Sequence, residues 1–369
     1  MSQIVSIGTA VPDYQLKQSQ VADWMVSQLH LMGRDADRLR ILYERSAIDT
    51  RYSAIPDYGC EPGDRVLFPE TADLEPFPGV SARMALFHPP ARELALASAR
   101  QALERVRVSL QPTHVISVTC TGLAAPGLDI DLVTGLDLPG STIRTSVNFM
   151  GCYAAFHALK LADAFCRADQ EAVVLVDAVE LCTLHFQKLN EPDHLLANSL
   201  FADGSASALI MSDQKARRLG LPGLTIAGFW SELALHGRSD MAWAIGDTGF
   251  LMTLSSYIPD LVKHGIGPLT DRVFQAAGLT TSEIHHWAIH PGGRKILEST
   301  ASALGLNPEK LASSFRVLRQ FGNMSSPTVL FVLKDLWDST LNFDRQETVF
   351  SAGFGPGLTL ESAVFKTIS

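Results

Sequence analysis

The sequence predicts an α/β fold made of two similar halves. Two observations carry that expectation. Short apolar runs of strand length alternate with segments whose apolar residues recur at helical spacing. In addition, patterns from the front of the chain return further along it. His114-Val115-Ile116-Ser117-Val118-Thr119-Cys120-Thr121-Gly122 is matched by His286-Trp287-Ala288-Ile289-His290-Pro291-Gly292-Gly293, each a short apolar strand ending on polar residues and glycine. Phe149-Met150-Gly151-Cys152-Tyr153-Ala154-Ala155 is matched by Gln320-Phe321-Gly322-Asn323-Met324-Ser325-Ser326, where a glycine precedes a polar residue, small residues and an apolar helix. The repeats are short, and chance similarity is the competing explanation. They place the halves near 1–215 and 216–369.

Taken in order, residues 4–7 read as a strand, closed by a turn at Pro12. Residues 16–45 read as helical, with Val21, Trp24, Met25, Leu29 and Leu31 at helical spacing. Arg34, Arg38, Arg40, Arg45 and Arg51 follow in a short interval. They suit either a solvated helix face or a site for an anionic ligand arm. Residues 53–80, rich in Pro, Gly and acids, read as a long excursion, and 92–107 as the next helix. A buried strand at 115–118 leads into a loop through Ala125-Pro126-Gly127. The strand at 141–148 runs into a tight turn at Gly151, and an apolar helix follows at 155–168. Further strands are expected at 172–176, 206–211, 224–228 and 287–289, and a further helix at 254–277.

Composition narrows the function. The chain has 369 residues, is 46% hydrophobic and 19% charged, and carries a net charge of -9 without a long basic run. That is a soluble globular balance, and it argues against nucleic acid as a partner. The five cysteines are scattered, odd in number and without a CxxC pair, which argues against a disulfide framework or structural zinc and suits a reducing, cytoplasmic setting. The N-terminus lacks the charged and apolar regions of a signal peptide, and no run reaches the length of a membrane span, so no stable membrane insertion is expected.

The chemistry centres on Cys152. A cysteine at a strand-to-helix turn sits among unpaired backbone N–H groups at the positive end of a helix, where a thiolate is favoured. It is therefore expected to titrate well below the ordinary thiol value of about 8.5. On its own, a lone cysteine on an apolar helix is more often a small buried hydrophobe. Two similar halves would bring Cys152, Asn323 and the strand-end His290 to one cleft. Thiolate, imidazole and carboxamide suffice for acyl transfer: the sulfur holds an acyl group, the imidazole pairs with the thiolate, and the imidazole and amide N–H groups stabilise an enolate. No metal or redox cofactor is needed. A papain-like protease uses the same trio, but its sequence context around the cysteine is missing.

Gly151-Cys152, Leu200-Phe201-Ala202-Asp203-Gly204, Ile289-His290-Pro291-Gly292-Gly293, Gly322-Asn323-Met324-Ser325-Ser326 and Gly353-Phe354-Gly355-Pro356-Gly357-Leu358-Thr359 come in the order and spacing of one family. With them the chain resembles the type III polyketide synthases, the chalcone-synthase-like group, over almost its whole length. The resemblance implies a thiolase-type αβαβα fold, a homodimer, and CoA thioesters as substrates with no further cofactor. It implies Cys152 as nucleophile and His290 with Asn323 as the decarboxylation pair. Cys120, Thr121, Phe201 (the gatekeeper), Trp243, Met252, Phe354 and Pro356 would line the substrate cavity. Arg38, Arg45, Gly292 and Gly293 would contact CoA, whereas Ile41 stands where plant members carry a third basic residue. The loop Ala124-Ala125-Pro126 matches the segment that reaches into the neighbouring subunit's cavity, with Ala125 where plant members have Met.

Trp243 replaces a glycine of plant chalcone synthases and Met252 a second gatekeeping Phe, which resembles bacterial members that make alkylpyrones or alkylresorcinols from fatty acyl starters. Trp243 as a plain core aromatic is the alternative. The expected function is loading of acyl-CoA on Cys152, extension from malonyl-CoA and cyclisation. A single-condensation ketoacyl-ACP synthase III-like enzyme and a catalytically silent thiolase-fold binding protein are the competing readings.

Overall fold

Strands that are apolar on both faces must be covered on both sides, and this requirement organises the chain. The computed structural model describes every residue except 62, 256 and 257, and all but the side chain of residue 236. The front of the chain forms β1 (Ser2–Ala10), β2 (Tyr14–Lys17), α1 (Gln18–Gln28), α2 (Gly33–Glu44), β3 (Thr50–Ser53) and the long α3 (Val80–Arg105). There follow β4 (His114–Thr119), α4 (Leu128–Gly135), β5 (Ile143–Asn148), α5 (Ala154–Ala168), β6 (Val173–Leu181), α6 (Pro192–Leu200), β7 (Asp203–Ser212) and α7 (Asp213–Leu219). The remainder holds β8 (Gly223–Leu233), β9 (Met241–Gly246), β10 (Gly249–Leu254), α8 (Ile258–Ala277), β11 (His286–Ile289), α9 (Arg294–Leu304), α10 (Ala312–Phe321), α11 (Thr328–Ser339), β12 (Thr348–Gly355) and β13 (Thr359–Ile368).

Nine strands join in the order β11-β12-β13-β8-β1-β7-β6-β4-β5. Strands from the front of the chain occupy one side and later strands the other. They meet where Gln3 pairs with Thr225 and Ile4 with Leu224. Every residue of β6, β7 and β12 is buried. The cover is a set of helical layers. Phe156 and Leu159 of α5 and Val329 and Val332 of α11 share a core with strand residues from both sides, among them Ile116, Val174, Ala288 and Val349. On the outer faces, Leu94 and Ala95 of α3 pack with Val115 and Leu175, and Val262 and Ile266 of α8 pack with Trp287 and Phe350. The result is the αβαβα layering of the thiolase type. The α3 backbone lies so close to β1 that a Cβ on Gly8 would stand 2.2 Å from the Ser98 carbonyl oxygen.

Several elements differ from the sequence expectation. The helical stretch 16–45 is a strand and two helices, because His30 and Gly33 take positive φ (52° and 53°) and turn the chain between α1 and α2. The helix expected at 92–107 begins at Val80 and runs through Pro89 and Pro90 to Arg105. In the excursion 53–80, of which residue 62 lies outside the described residues, Tyr58, Phe68 and Phe77 pack around Phe186, and Tyr58 and Phe68 also meet Trp24. The helix expected at 254–277 starts at Ile258; Leu254 ends β10, and 256 and 257 lie outside the described residues. The hairpin β9–β10 stands apart as its own two-stranded sheet. No helix among the described residues is long and apolar enough to cross a membrane.

Candidate active site

Cys152 lies on a single 3-10 turn, Gly151–Tyr153, that leads directly into α5. The approach to it is a tight turn, with φ of 60° at Phe149 and 78° at Gly151. Gly151 is required twice, by that backbone and because a Cβ there would meet the Pro356 ring at 2.6 Å. The sulfur's residue is buried, at 7% exposure.

His290 follows the last residue of β11, and its backbone N–H donates to the Ala352 carbonyl at 2.8 Å, so the parallel β11–β12 pair fixes it. Its ring is buried, and neither ring nitrogen has a hydrogen-bond partner among the described residues. Asn323 sits between α10 and α11, not at a helix start as the internal repeat suggested. Its N–H donates to the Leu200 carbonyl at 3.0 Å and its carbonyl accepts from the Ala202 N–H at 2.9 Å. Its Oδ1 accepts from the Ser325 N–H at 2.9 Å, and its Nδ2 donates to the Gly292 carbonyl at 3.3 Å. The side chain is thereby held by its oxygen, with the amide N–H groups on the other side.

One cavity of about 460 Å³ brings these residues together. Cys152, His290 and Asn323 line it, as do Cys120, Thr121, Phe201, Trp243, Met252, Phe354 and Pro356. Arg38, Arg45, Gly292 and Gly293 line it as well. Every residue singled out from the sequence as catalytic, cavity or CoA-contacting therefore falls on the same space. Phe201 is held by the buried Arg51, whose guanidinium donates to the Phe201 and Asn198 carbonyls, both at 2.7 Å. Trp243 belongs to the cavity wall, not to a closed core: it pairs with Met252 across the β9–β10 hairpin, and its Nε1–H donates to the Cys120 carbonyl at 2.7 Å. Ala125 is exposed and does not line this cavity.

Three residues in contact with the cavity lining were not anticipated. Glu180 is fully buried on β6 and accepts from the Cys120 N–H at 2.9 Å, the Thr121 hydroxyl at 2.8 Å and the Ser326 hydroxyl at 2.6 Å. Ser325 reaches the Cys120 sulfur at 3.6 Å. His185 accepts from the Phe250 N–H at Nδ1, so its Nε2–H donates to the Thr121 carbonyl at 2.7 Å. Its ring stacks on Phe250 at 4.2 Å and meets Trp243 edge-on. A glutamate inside the apolar run of β6 was the one available signal. Ser325 and His185 carried none, since their roles come from contacts distant in sequence.

The electrostatics overturn one expectation. Burial pushes the Cys152 thiol up to about 11, against the lowering effect of the Ser325 and Asn323 side chains, with Glu180 adding to the rise. The helix start favours the thiolate, but loss of water outweighs it. Burial also pushes His290 down to about 3. Each shift favours the uncharged form of its group. Cys120 is raised well above the ordinary thiol value by burial and then by Glu180. Among the described residues no group of His, Cys, Asp and Glu is arranged to hold a metal ion.

Comparison with known proteins shows the family of the chain. Residues 1–214 match the model of the family "Chalcone and stilbene synthases, N-terminal domain", and residues 232–369 match that of the corresponding C-terminal domain. The chain belongs to the chalcone and stilbene synthase family, the type III polyketide synthases. It is 31% identical over 99% of its length, and 91% of the relative's, to an "Alpha-pyrone synthesis polyketide synthase-like Pks18" of Mycobacterium tuberculosis. Among solved structures it is similar to PKS-I of the brown alga Ectocarpus siliculosus, with a TM-score of 0.92, 28% identity, and coverage of 100% of this chain and 98% of that one. It also resembles the C-terminal type III polyketide synthase domain of Steely1 from Dictyostelium, with a TM-score of 0.90, 26% identity, and coverage of 100% and 99%. The synthase is accordingly an acyltransferase of the decarboxylative condensing kind.

The buried imidazoles make stability depend on pH. An unfolded histidine gains its proton near 6.5, whereas folded His290 and His185 gain theirs only near 3. Between those values the unfolded chain binds more protons, so stability falls as pH drops through the window. His290→Gln removes one of these contributions, and melting temperatures between pH 7 and pH 4 are expected to fall less steeply for the variant. Equal slopes would show that His290 protonates at an ordinary pKa.

Proposed function

We propose that the synthase loads an acyl-CoA on Cys152, extends it with malonyl-CoA and cyclises the chain, with His290 and Asn323 as the decarboxylation pair. CoA thioesters are the only small molecules the scheme requires. As the Cys152 sulfur attacks the thioester carbonyl, its proton passes to His290, and the departing CoA sulfur takes that proton when the C–S bond breaks. Malonyl-CoA then loses CO₂, and the electron pair of the broken C–C bond moves onto the thioester as an enolate. N–H donors of His290 and Asn323 stabilise the enolate oxygen. The enolate carbon attacks the acyl-Cys152 carbonyl, and Cys152 leaves as thiolate. The carrying observation is that the His290 ring nitrogens, buried in the cavity that Cys152 and Asn323 also line, have no hydrogen-bond partner among the described residues and are free for a ligand.

Cys152→Ala is expected to abolish extension while retaining some malonyl-CoA decarboxylation. Asn323→Ala should still form the acyl-enzyme seen by intact-protein mass spectrometry, yet lose decarboxylation about a hundred- to a thousandfold. Full extension by Cys152→Ala, or no acylation of Asn323→Ala, would refute these roles.

The starter we propose is a medium- to long-chain fatty acyl-CoA, and the product an alkylpyrone or alkylresorcinol. Trp243, pinned to Cys120 and braced by His185 and Phe250, fills one side of the cavity. The lining also includes apolar Val21, Met25, Leu42 and Phe186. Each buried methylene contributes about 0.8 kcal/mol, so affinity climbs steeply with chain length where such a path is open. Values of kcat/KM are expected to rise from two-carbon toward long-chain acyl-CoAs and to exceed that of p-coumaroyl-CoA. A steady fall above four carbons would show that Trp243 closes the cavity instead of redirecting the chain.

The two halves, 1–215 and 216–369, are proposed as similar units that supply Cys152 on one side and His290 with Asn323 on the other. The working assembly is proposed to be a homodimer. Support comes from β5, a sheet edge next to the Cys152 turn with Ile143 53% exposed, and from the exposed loop that carries Leu123 at 44%. An unpaired edge with apolar residues is a ready surface for a second copy. Sedimentation equilibrium is expected to return twice the chain mass of 40.1 kDa, and a monomer would rule the assembly out.

A further inference from the structure

We infer that Arg51 is a positioning residue of the decarboxylation step: it fixes the end of α6, and through that backbone it holds the Asn323 amide in place. The inference rests on the proposed role of Asn323. Arg51 closes the arginine-rich interval of the sequence, but it belongs neither to a solvated helix face nor to an anion site. It lies on β3 and is 3% exposed. Its guanidinium sits over the Tyr43 ring, 5.7 Å from the centroid. One nitrogen, Nη1, donates to the Asn198 and Phe201 carbonyls, both at 2.7 Å. Asn198 is in the last turn of α6, and Phe201 is its cap. Carbonyls at a helix end lack partners within the helix and carry the negative end of its dipole. A buried cation meets both needs at once, and bonds from a charged donor are stronger than neutral ones.

The same short strand grips the other side of the site. The Asp49 N–H donates to the Arg319 carbonyl at 2.8 Å, and the Thr50 hydroxyl to the Gln320 carbonyl at 2.9 Å. The Tyr52 ring stacks on Phe321 at 5.9 Å. Arg319, Gln320 and Phe321 end α10, and Gly322 and Asn323 follow them directly. Gly322 has φ of 70°, and a Cβ there would stand 3.1 Å from the Leu200 carbonyl oxygen and 3.4 Å from the Arg51 Cβ. Beyond it, Phe201 and Asn323 pair as a single parallel bridge. The Leu200 carbonyl and the Ala202 N–H are the two backbone groups that hold Asn323. A single bridge between two chain ends leaves them free to swing about it. Arg51 removes that freedom on the α6 side, while Asp49, Thr50 and Tyr52 remove it on the α10 side.

The test is Arg51→Met, which keeps a long apolar stem and removes the donor and the charge. Two rates are measured: acylation of Cys152 by decanoyl-CoA, followed by intact-protein mass spectrometry, and CO₂ release from malonyl-CoA. A small displacement of a positioned group costs up to about a hundredfold, so CO₂ release is expected to fall about tenfold to a hundredfold while acylation stays within about threefold of the wild type. Arg51→Lys keeps a cation at a shorter reach and guards against a folding failure of Arg51→Met. It is expected to show the same selectivity with a smaller loss, about threefold to tenfold. The deciding measurement is Arg51→Met combined with Asn323→Ala. If Arg51 acts through Asn323, the pair releases CO₂ within about twofold of Asn323→Ala alone, because residues that act through one another are not additive. Additive losses, unchanged CO₂ release, or a parallel fall of both rates in folded protein each overturn the inference. CO₂ release that survives Asn323→Ala refutes the reading of the site and the inference with it. Release that needs Asn323 but not Arg51 overturns the positioning role alone.

Discussion

Exclusion of water from the cavity floor is the constraint on which the rest of the site depends. Burial pushes Cys152 up to about 11 and His290 down to about 3, each toward its uncharged form. An unpartnered imidazole at that depth is costly. The fold keeps it there by holding the backbone: the Ala352 carbonyl takes the His290 N–H, and the Leu200 and Ala202 backbone groups grip Asn323 from both sides. The His290 ring is then left for a ligand, while the Asn323 amide is also positioned by the Ser325 N–H and the Gly292 carbonyl. The same dryness favours the proposed chemistry, since an enolate formed away from water meets the acyl-enzyme before it meets a proton donor.

The site is also graded in charge from mouth to floor. Cations line the opening, apolar and aromatic side chains line the middle, and the carboxylate of Glu180 lies in the interior behind Cys120 and Thr121. Hydrogen bonds from Ser326, the Cys120 N–H and Thr121 satisfy that carboxyl, which is why a buried acid is tolerated so near two thiols. The β9–β10 hairpin completes the wall without joining the main sheet. It is tied down by the Trp243 indole on the Cys120 carbonyl and by His185, which bridges Phe250 to Thr121.

Much of this was legible in the residues themselves. Gly151-Cys152 before an apolar helix announced a strand-to-helix turn, and His290 after an apolar strand announced a strand end. Both are local patterns with local causes. The boundaries went wrong where packing or a hidden turn overrode the local pattern. Packing of α3 against β1 and β7 carries the helix through Pro89 and Pro90, and the apolar period across 16–45 masked a turn made by His30 and Gly33. The depressed thiol pKa was expected from the helix start alone, and the burial that reverses it comes from residues far along the chain.

The sequence by itself therefore determined the α/β class, the family, and the set of side chains that meet in the cavity, because each is written in short-range motifs whose backbone geometry is set by neighbouring residues. Tertiary structure decided the direction of the pKa shifts, the orientation of Trp243 and Asn323, and the roles of Glu180, His185 and Ser325. It also decided that Arg51 turns inward to the end of α6. Those properties depend on which distant surfaces close over a group and remove its water. That is a consequence of layer packing around α5 and α11, and no local pattern encodes it.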